Sequence, residues 1–107
     1  MSSLVPESVK ALPEPVQAGI VGGALGAGAS YIAGDGGLAS YAMSYAALGA
    51  VAAWSAPMIT ADPMMQYAAC AGVGVASQFI APAYVPGGML HSAAIPAASL
   101  YIARSFM

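Results

Sequence analysis

The sequence predicts an all-α fold: a small polytopic membrane protein, built as a bundle of four short Ala/Gly-rich transmembrane helices, with three spans as the alternative. Three observations predict it. Between Asp35 and Arg104 the only formal charge is Asp62, and the whole chain has two basic and four acidic residues in 107. A soluble domain carries charges on about a quarter of its positions, so a water-facing surface cannot be made from this composition. Hydrophobic residues make up 60 % and the mean hydropathy is +0.78. The apolar residues also fall into four long runs separated by Gly, Pro and Asp.

Residues 1–15 form a polar, proline-punctuated arm with Pro6, Pro13 and Pro15 among Glu7, Lys10 and Glu14. Ser8 to Leu12 has room for one turn on a membrane surface before Pro13 ends it. Residues 16–107 form the helical domain, with spans expected at about 16–33, 38–60, 64–81 and 88–104. The first run ends at the turn signal Asp35-Gly36-Gly37, where glycine supplies positive φ. The second, with Pro57 near its end, stops at Thr60-Ala61-Asp62-Pro63. That break also suits a helix start, with Asp62 as cap and Pro63 in the first helical position. The third run ends at the loop from Pro82 to Gly88. The fourth is the shortest and has Pro96 in its middle, so it reads as a kinked span or as a re-entrant or surface helix. Period-2 alternation is missing and aromatic residues are only 8 %, which excludes a β-barrel.

Lys10 and Arg104 are the only basic residues and flank the outermost runs. Four spans put them on one side, as the positive-inside rule wants; three do not. Leu, Ile, Phe and Val each favour a bilayer centre by about 0.3–0.6 kcal/mol, whereas Ala and Gly add little. Each span is therefore weak alone and depends on its neighbours.

The sharpest pattern lies in the first run. Gly19, Gly22, Gly23, Gly26 and Ser30 share one helix face and contain two overlapping G-x-x-x-G motifs. Such a face lets another helix backbone approach closely. Val21, Leu25 and Ile32 lie elsewhere on the helix and can face lipid. A dinucleotide-binding reading would need a preceding strand and a following acidic residue, which the run lacks. The third run repeats the small-residue spacing with Ala68, Gly72 and Ala76. The second carries Ser40, Ser44 and Ala47 beside a stripe of Tyr41, Tyr45 and Leu48, which reads as packing.

A possible polar site combines His91, Ser92 and Gln78, because Pro96 frees the carbonyl of Ser92. Local hydrogen-bond repair near the kink is the plainer reading. Asp35 and Asp62 read as turn residues. Cys70 reads as a small buried hydrophobe. Length and run count resemble those of the small multidrug resistance transporters, four-helix antiporters with a glutamate inside the first span. Here Glu14 precedes the apolar run, between Pro13 and Pro15, so that chemistry is not carried over.

No catalytic set, cofactor site or metal site is expected, and no basic patch points to nucleic acid. The expected partners are the lipid bilayer and other membrane or capsid subunits, copies of the chain included. The expected role is a structural subunit packed into a larger complex. A minor protein of a virion with an internal membrane and an accessory subunit of a large membrane complex are two versions. A small oligomeric channel, holin or transporter is the alternative.

Overall fold

The structure, a computed structural model, describes residues 11–33, 37–80 and 89–106. They form four α-helices: α1 (Glu14–Ala33), α2 (Leu38–Ile59), α3 (Pro63–Ile80) and α4 (Met89–Phe106). No strand occurs among the described residues. The protein is all-helical, and the fourth run is one continuous helix through Pro96. Most of the arm with Lys10, the Asp35 turn and the loop from Pro82 to Gly88 lie outside the described residues.

Local chemistry sets the helix ends. The carbonyl of Pro13 accepts from the amides of Val16 (3.0 Å) and Gln17 (3.1 Å). Pro15 sits in the first turn, where an amide has no helical acceptor to lose. Helix α1 thus starts at Glu14, and Glu14 belongs to a helix rather than to an arm. At the end of α2, Thr60 turns to extended backbone while its amide still reaches the carbonyl of Ala56. Asp62 Oδ1 then accepts from the Met64 amide at 3.0 Å. This is the expected cap, with Pro63 the first residue of α3.

The helices alternate in direction. Gly19 lies near Ala46 and Ala50 and Gly26 near Tyr41 and Tyr45, so α1 and α2 are antiparallel. Gln66 reaches Arg104 while Gln78 reaches Ser92, so α3 and α4 are antiparallel too. One core cluster joins Ala18, Ala52, Ala53, Ala56, Cys70, Leu100 and Ala103. A second joins Tyr41, Tyr45, Leu48 and Ile95. Small side chains dominate the first cluster, so it is held by close backbone approach more than by large buried areas.

By length and composition, α2 alone among the described helices is long and apolar enough to cross a membrane. The other three carry strongly polar side chains that lower their mean hydropathy, Glu14 and Gln17 in α1, Gln66 and Gln78 in α3, and His91 and Arg104 in α4, and α2 has none of these types.

Candidate functional site

The contact between α1 and α2 is built on glycine from both sides. A Cβ added at Gly26 would lie 2.5 Å from the Tyr41 carbonyl oxygen and 2.9 Å from Tyr45 Cβ. One at Gly22 would overlap the Tyr45 carbonyl oxygen, and one at Gly19 would lie 3.1 Å from the Ala46 carbonyl. Gly23 faces Ala46 and Ala42. From α2, Gly49 answers them: its Cβ would lie 2.9 Å from the Ala18 carbonyl and 3.6 Å from Gly22 Cα. Ser30, farther along the same face, is fully buried.

The three residues off the glycine row differ in exposure. Val21 is buried and Leu25 packs against the tyrosine cluster, whereas Ile32 is exposed. Helix α1 touches α4 as well as α2, so its buried arc is wider than the glycine row alone.

On α3 the structure uses a different small-residue row from the one the spacing singled out. Gln66, Cys70 and Gly74 are buried. Ala68, Gly72 and Ala76 point outward, and nothing lies within 4 Å of a Cβ at Gly72. The two rows are offset by two residues, about 200° of helical turn, so burying one exposes the other.

Gly74 rests on α4 where Pro96 has removed a helical donor. Its Cβ would overlap the Ser92 carbonyl oxygen and lie 3.2 Å from Pro96 Cγ. Beside this contact, the Gln78 amide donates to Ser92 Oγ at 2.5 Å. Ser92 is also hydrogen-bonded to Tyr45. One serine therefore joins α2, α3 and α4. His91 does not belong to this cluster: it is exposed, on the neighbouring arc of α4, at a groove with α1. The expected trio is split because adjacent helical residues are 100° apart and Ser92 alone faces inward.

A second cluster closes the other end of the bundle. Arg104 donates through Nε to Glu14 Oε2 (3.2 Å) and through Nη2 to Glu14 Oε1 (3.0 Å). Nη2 also donates to Gln66 Oε1, and Gln66 Nε2 donates to the Thr60 carbonyl at 3.0 Å. The guanidinium lies 5.4 Å from the centre of the Tyr67 ring, and Tyr67 meets Tyr101 edge-on at 5.8 Å. The set thus ties the start of α1, the α2–α3 turn, the first turn of α3 and the last turn of α4. Exposed ion pairs contribute about 0.2–1 kcal/mol. The two-pronged geometry and the Gln66 contact put this partly covered pair at the upper end of that range.

Gln66, Gly49 and Gly74 were not singled out from the sequence. An isolated glycine inside a helical run is the available signal for the last two, since it needs a packing reason to offset its helix cost. No comparable signal marks Gln66. Among the described residues, no group of three or more His, Cys, Asp or Glu converges to hold a metal ion. Cys70 is a free, buried thiol.

Comparison of the chain with protein-family models, with curated proteins and with solved structures finds no match.

Proposed function

We propose that this chain is a small integral membrane protein with a structural role, a four-helix unit that packs into a larger membrane assembly. One observation carries the membrane reading. Large apolar side chains are exposed on all four helices, among them Ile20 and Ile32, Met43 and Trp54, Met65 and Phe79, and Leu90 and Tyr101. The three charged side chains among the described residues, Glu14, Asp62 and Arg104, sit together at one end. In water such an apolar surface drives aggregation. In a bilayer it faces lipid, and every helix satisfies its own backbone. The helices, 18 to 22 residues long, span about 27–33 Å at 1.5 Å per residue, which suits a hydrocarbon layer of about 30 Å. Helix α2 is the strongest span; the others gain support from packing against it.

The structural role rests on the interior. Tyr45, Pro96 and Leu100 are fully buried and fill the space between the helices. A conduit through one chain would have to displace them. The outward row of Ala68, Gly72 and Ala76 leaves α3 open to close approach by a neighbouring subunit. A membrane-containing virion shell and a large membrane enzyme complex are two assemblies of this kind.

Two measurements test the proposal together. Alkaline carbonate should leave the chain in the membrane pellet. Native-mass analysis after mild detergent extraction should find it in fixed ratio with larger partners. Quantitative release by carbonate would overturn the membrane reading. Ion or solute flux by the purified chain in liposomes, with no partner found, would overturn the structural role.

A further inference from the structure

The two helical hairpins, α1–α2 and α3–α4, match each other position by position. Helix α1 opens on Glu14-Pro15, and 48 residues on Asp62-Pro63 opens α3. At that offset the inward row of α1, Ala18, Gly22 and Gly26, falls on the inward row of α3, Gln66, Cys70 and Gly74. The outward row Ile20, Ala24 and Gly28 falls on Ala68, Gly72 and Ala76. The second helices match at an offset of 51. Leu38 follows Gly36-Gly37 and Met89 follows Gly87-Gly88, each as the first residue of its helix. Buried Tyr41, Tyr45 and Ala52 then answer buried Ser92, Pro96 and Ala103. The change of offset is three extra residues between the helices of the second hairpin.

The contacts match as well as the rows. Gly26 lies against the carbonyl of Tyr41 and the side chain of Tyr45; Gly74 lies against the carbonyl of Ser92 and the ring of Pro96. Farther along, Gly19 meets Ala50, and the equivalent residues Tyr67 and Tyr101 meet edge-on. Glycine and alanine fill one crossing and two rings fill its counterpart, with no change of register. A slip of one residue on either helix would turn its row by 100° and lose these pairings. Any two antiparallel helix pairs share a period. They do not thereby share a helix start, a buried row and a crossing carbonyl at one offset.

We infer that the chain is a tandem duplication: α1–α2 and α3–α4 are two versions of one helical hairpin, packed together about a two-fold axis between α2 and α4. The inner face of each hairpin is thus an interaction surface whose partner is the other version. The helix directions fit such an axis. The end of α4 meets the start of α1 and the start of α4 lies beside the end of α1, so these two are antiparallel. Helices α2 and α4 therefore run parallel, as do α1 and α3. Helices α1 and α3 each pack on both α2 and α4, as the exchange requires. Repeats related by an axis along the helices are one way of building a helical bundle from a single unit. The seam has diverged since. Tyr45 hydrogen-bonds to Ser92, whereas exchange would pair Pro96 with Tyr41, and a proline ring has no donor or acceptor to offer. Arg104 is likewise single, its counterpart being Ala53.

The test uses three full-length chains in mild detergent, read by helicity, by mass and by the midpoint of unfolding in denaturing detergent. The first is permuted, with residues 1–61 moved behind residues 62–107. Residues 1–13 then bridge the end of α4 to the start of α1, which are already in contact. In the second, residues 14–59 also stand in place of 62–107; in the third, residues 62–107 also stand in place of 14–59. The permuted chain should match the native one in helicity and mass, because the axis puts each hairpin in the other's place. At least one duplicated chain should do the same at a lower midpoint, since neither has both Tyr45 and Ser92 at the seam. A leucine on the inward row of its transplanted hairpin, Gly26→Leu or Gly74→Leu, should then turn that chain to aggregate.

An unfolded or aggregated permuted chain would overturn the axis, and the proposal with it. Failure of both duplicated chains beside a folded permuted one would overturn the duplication. So would a duplicated chain that folds and tolerates the leucine. These readouts are independent of the membrane reading, which carbonate extraction tests separately.

Discussion

Gly74 covers the carbonyl of Ser92, the group that Pro96, four residues on, leaves without its helical donor. The proline and the glycine sit on different helices, and each makes sense of the other. Pro96 removes an amide and its ring lies against α3; Gly74 has no side chain to keep the two backbones apart. The freed carbonyl is shielded by backbone, and Gln78 and Tyr45 gather at the hydroxyl of the same serine.

The first prediction concerns this crossing. Gly74→Ala should destabilise the bundle by about 1–3 kcal/mol, the usual range for overpacking, because the new methyl meets backbone that cannot rotate away. Unfolding in mixed micelles of increasing denaturing detergent would measure it. Gly72→Ala, in open space on the opposite face, should leave the bundle intact and gain up to about 0.5–1 kcal/mol of helix propensity. Equal effects at the two glycines would mean that α3 is rolled differently from the structure.

The glycine face of α1 gives a second contrast. Gly22→Leu and Gly26→Leu should each disrupt the fold, since both positions face tyrosine backbone on α2. Gly28→Leu should leave helicity and detergent resistance intact. Leu25→Ala is not a neutral control, because Leu25 packs against the tyrosine cluster. A loss of about 2–3 kcal/mol is expected there, near the lower end for leucine truncation because the site is only partly buried.

The pair of Arg104 and Glu14 makes a third prediction. Glu14→Gln and Arg104→Lys should each weaken the closure between α1 and α4, the lysine because it cannot keep a two-pronged contact. The combined variant should lose less than the sum of the two. A coupling of about 0.5–1 kcal/mol in a double-mutant cycle is expected. Strict additivity would show that the two side chains act independently.

Sidedness is the fourth. Glu14 and Arg104 are in contact, so the start of α1 and the end of α4 occupy one end of the bundle. In a Cys70→Ser background, Leu12→Cys and Ser105→Cys should react together with an impermeant thiol reagent in sealed vesicles. Reaction of one with protection of the other would mean an odd number of crossings. Cys70 itself, buried in the native chain, should label only after denaturation.

The sequence by itself determined the class of fold and most of the element boundaries. Periodic apolar runs, the Asp62-Pro63 start and the absence of alternation are local signals, and local hydrogen bonding and φ restriction are enough to express them. The glycine row of α1 was legible for the same reason: its five small residues share one face whatever they touch. The tertiary structure decided what local signals leave open. It rolled α3 so that Cys70 and Gly74 point inward and Ala68, Gly72 and Ala76 outward, a choice between two rows equally small in sequence. It extended α1 back to Glu14 and joined that residue to Arg104, ninety positions away. It turned Ser92 toward Gln78 and Tyr45 and left His91 outside. Each of these depends on which arc of a helix meets its neighbour. An Ala/Gly-rich helix has no strong apolar stripe to announce that arc, so close backbone packing sets it instead.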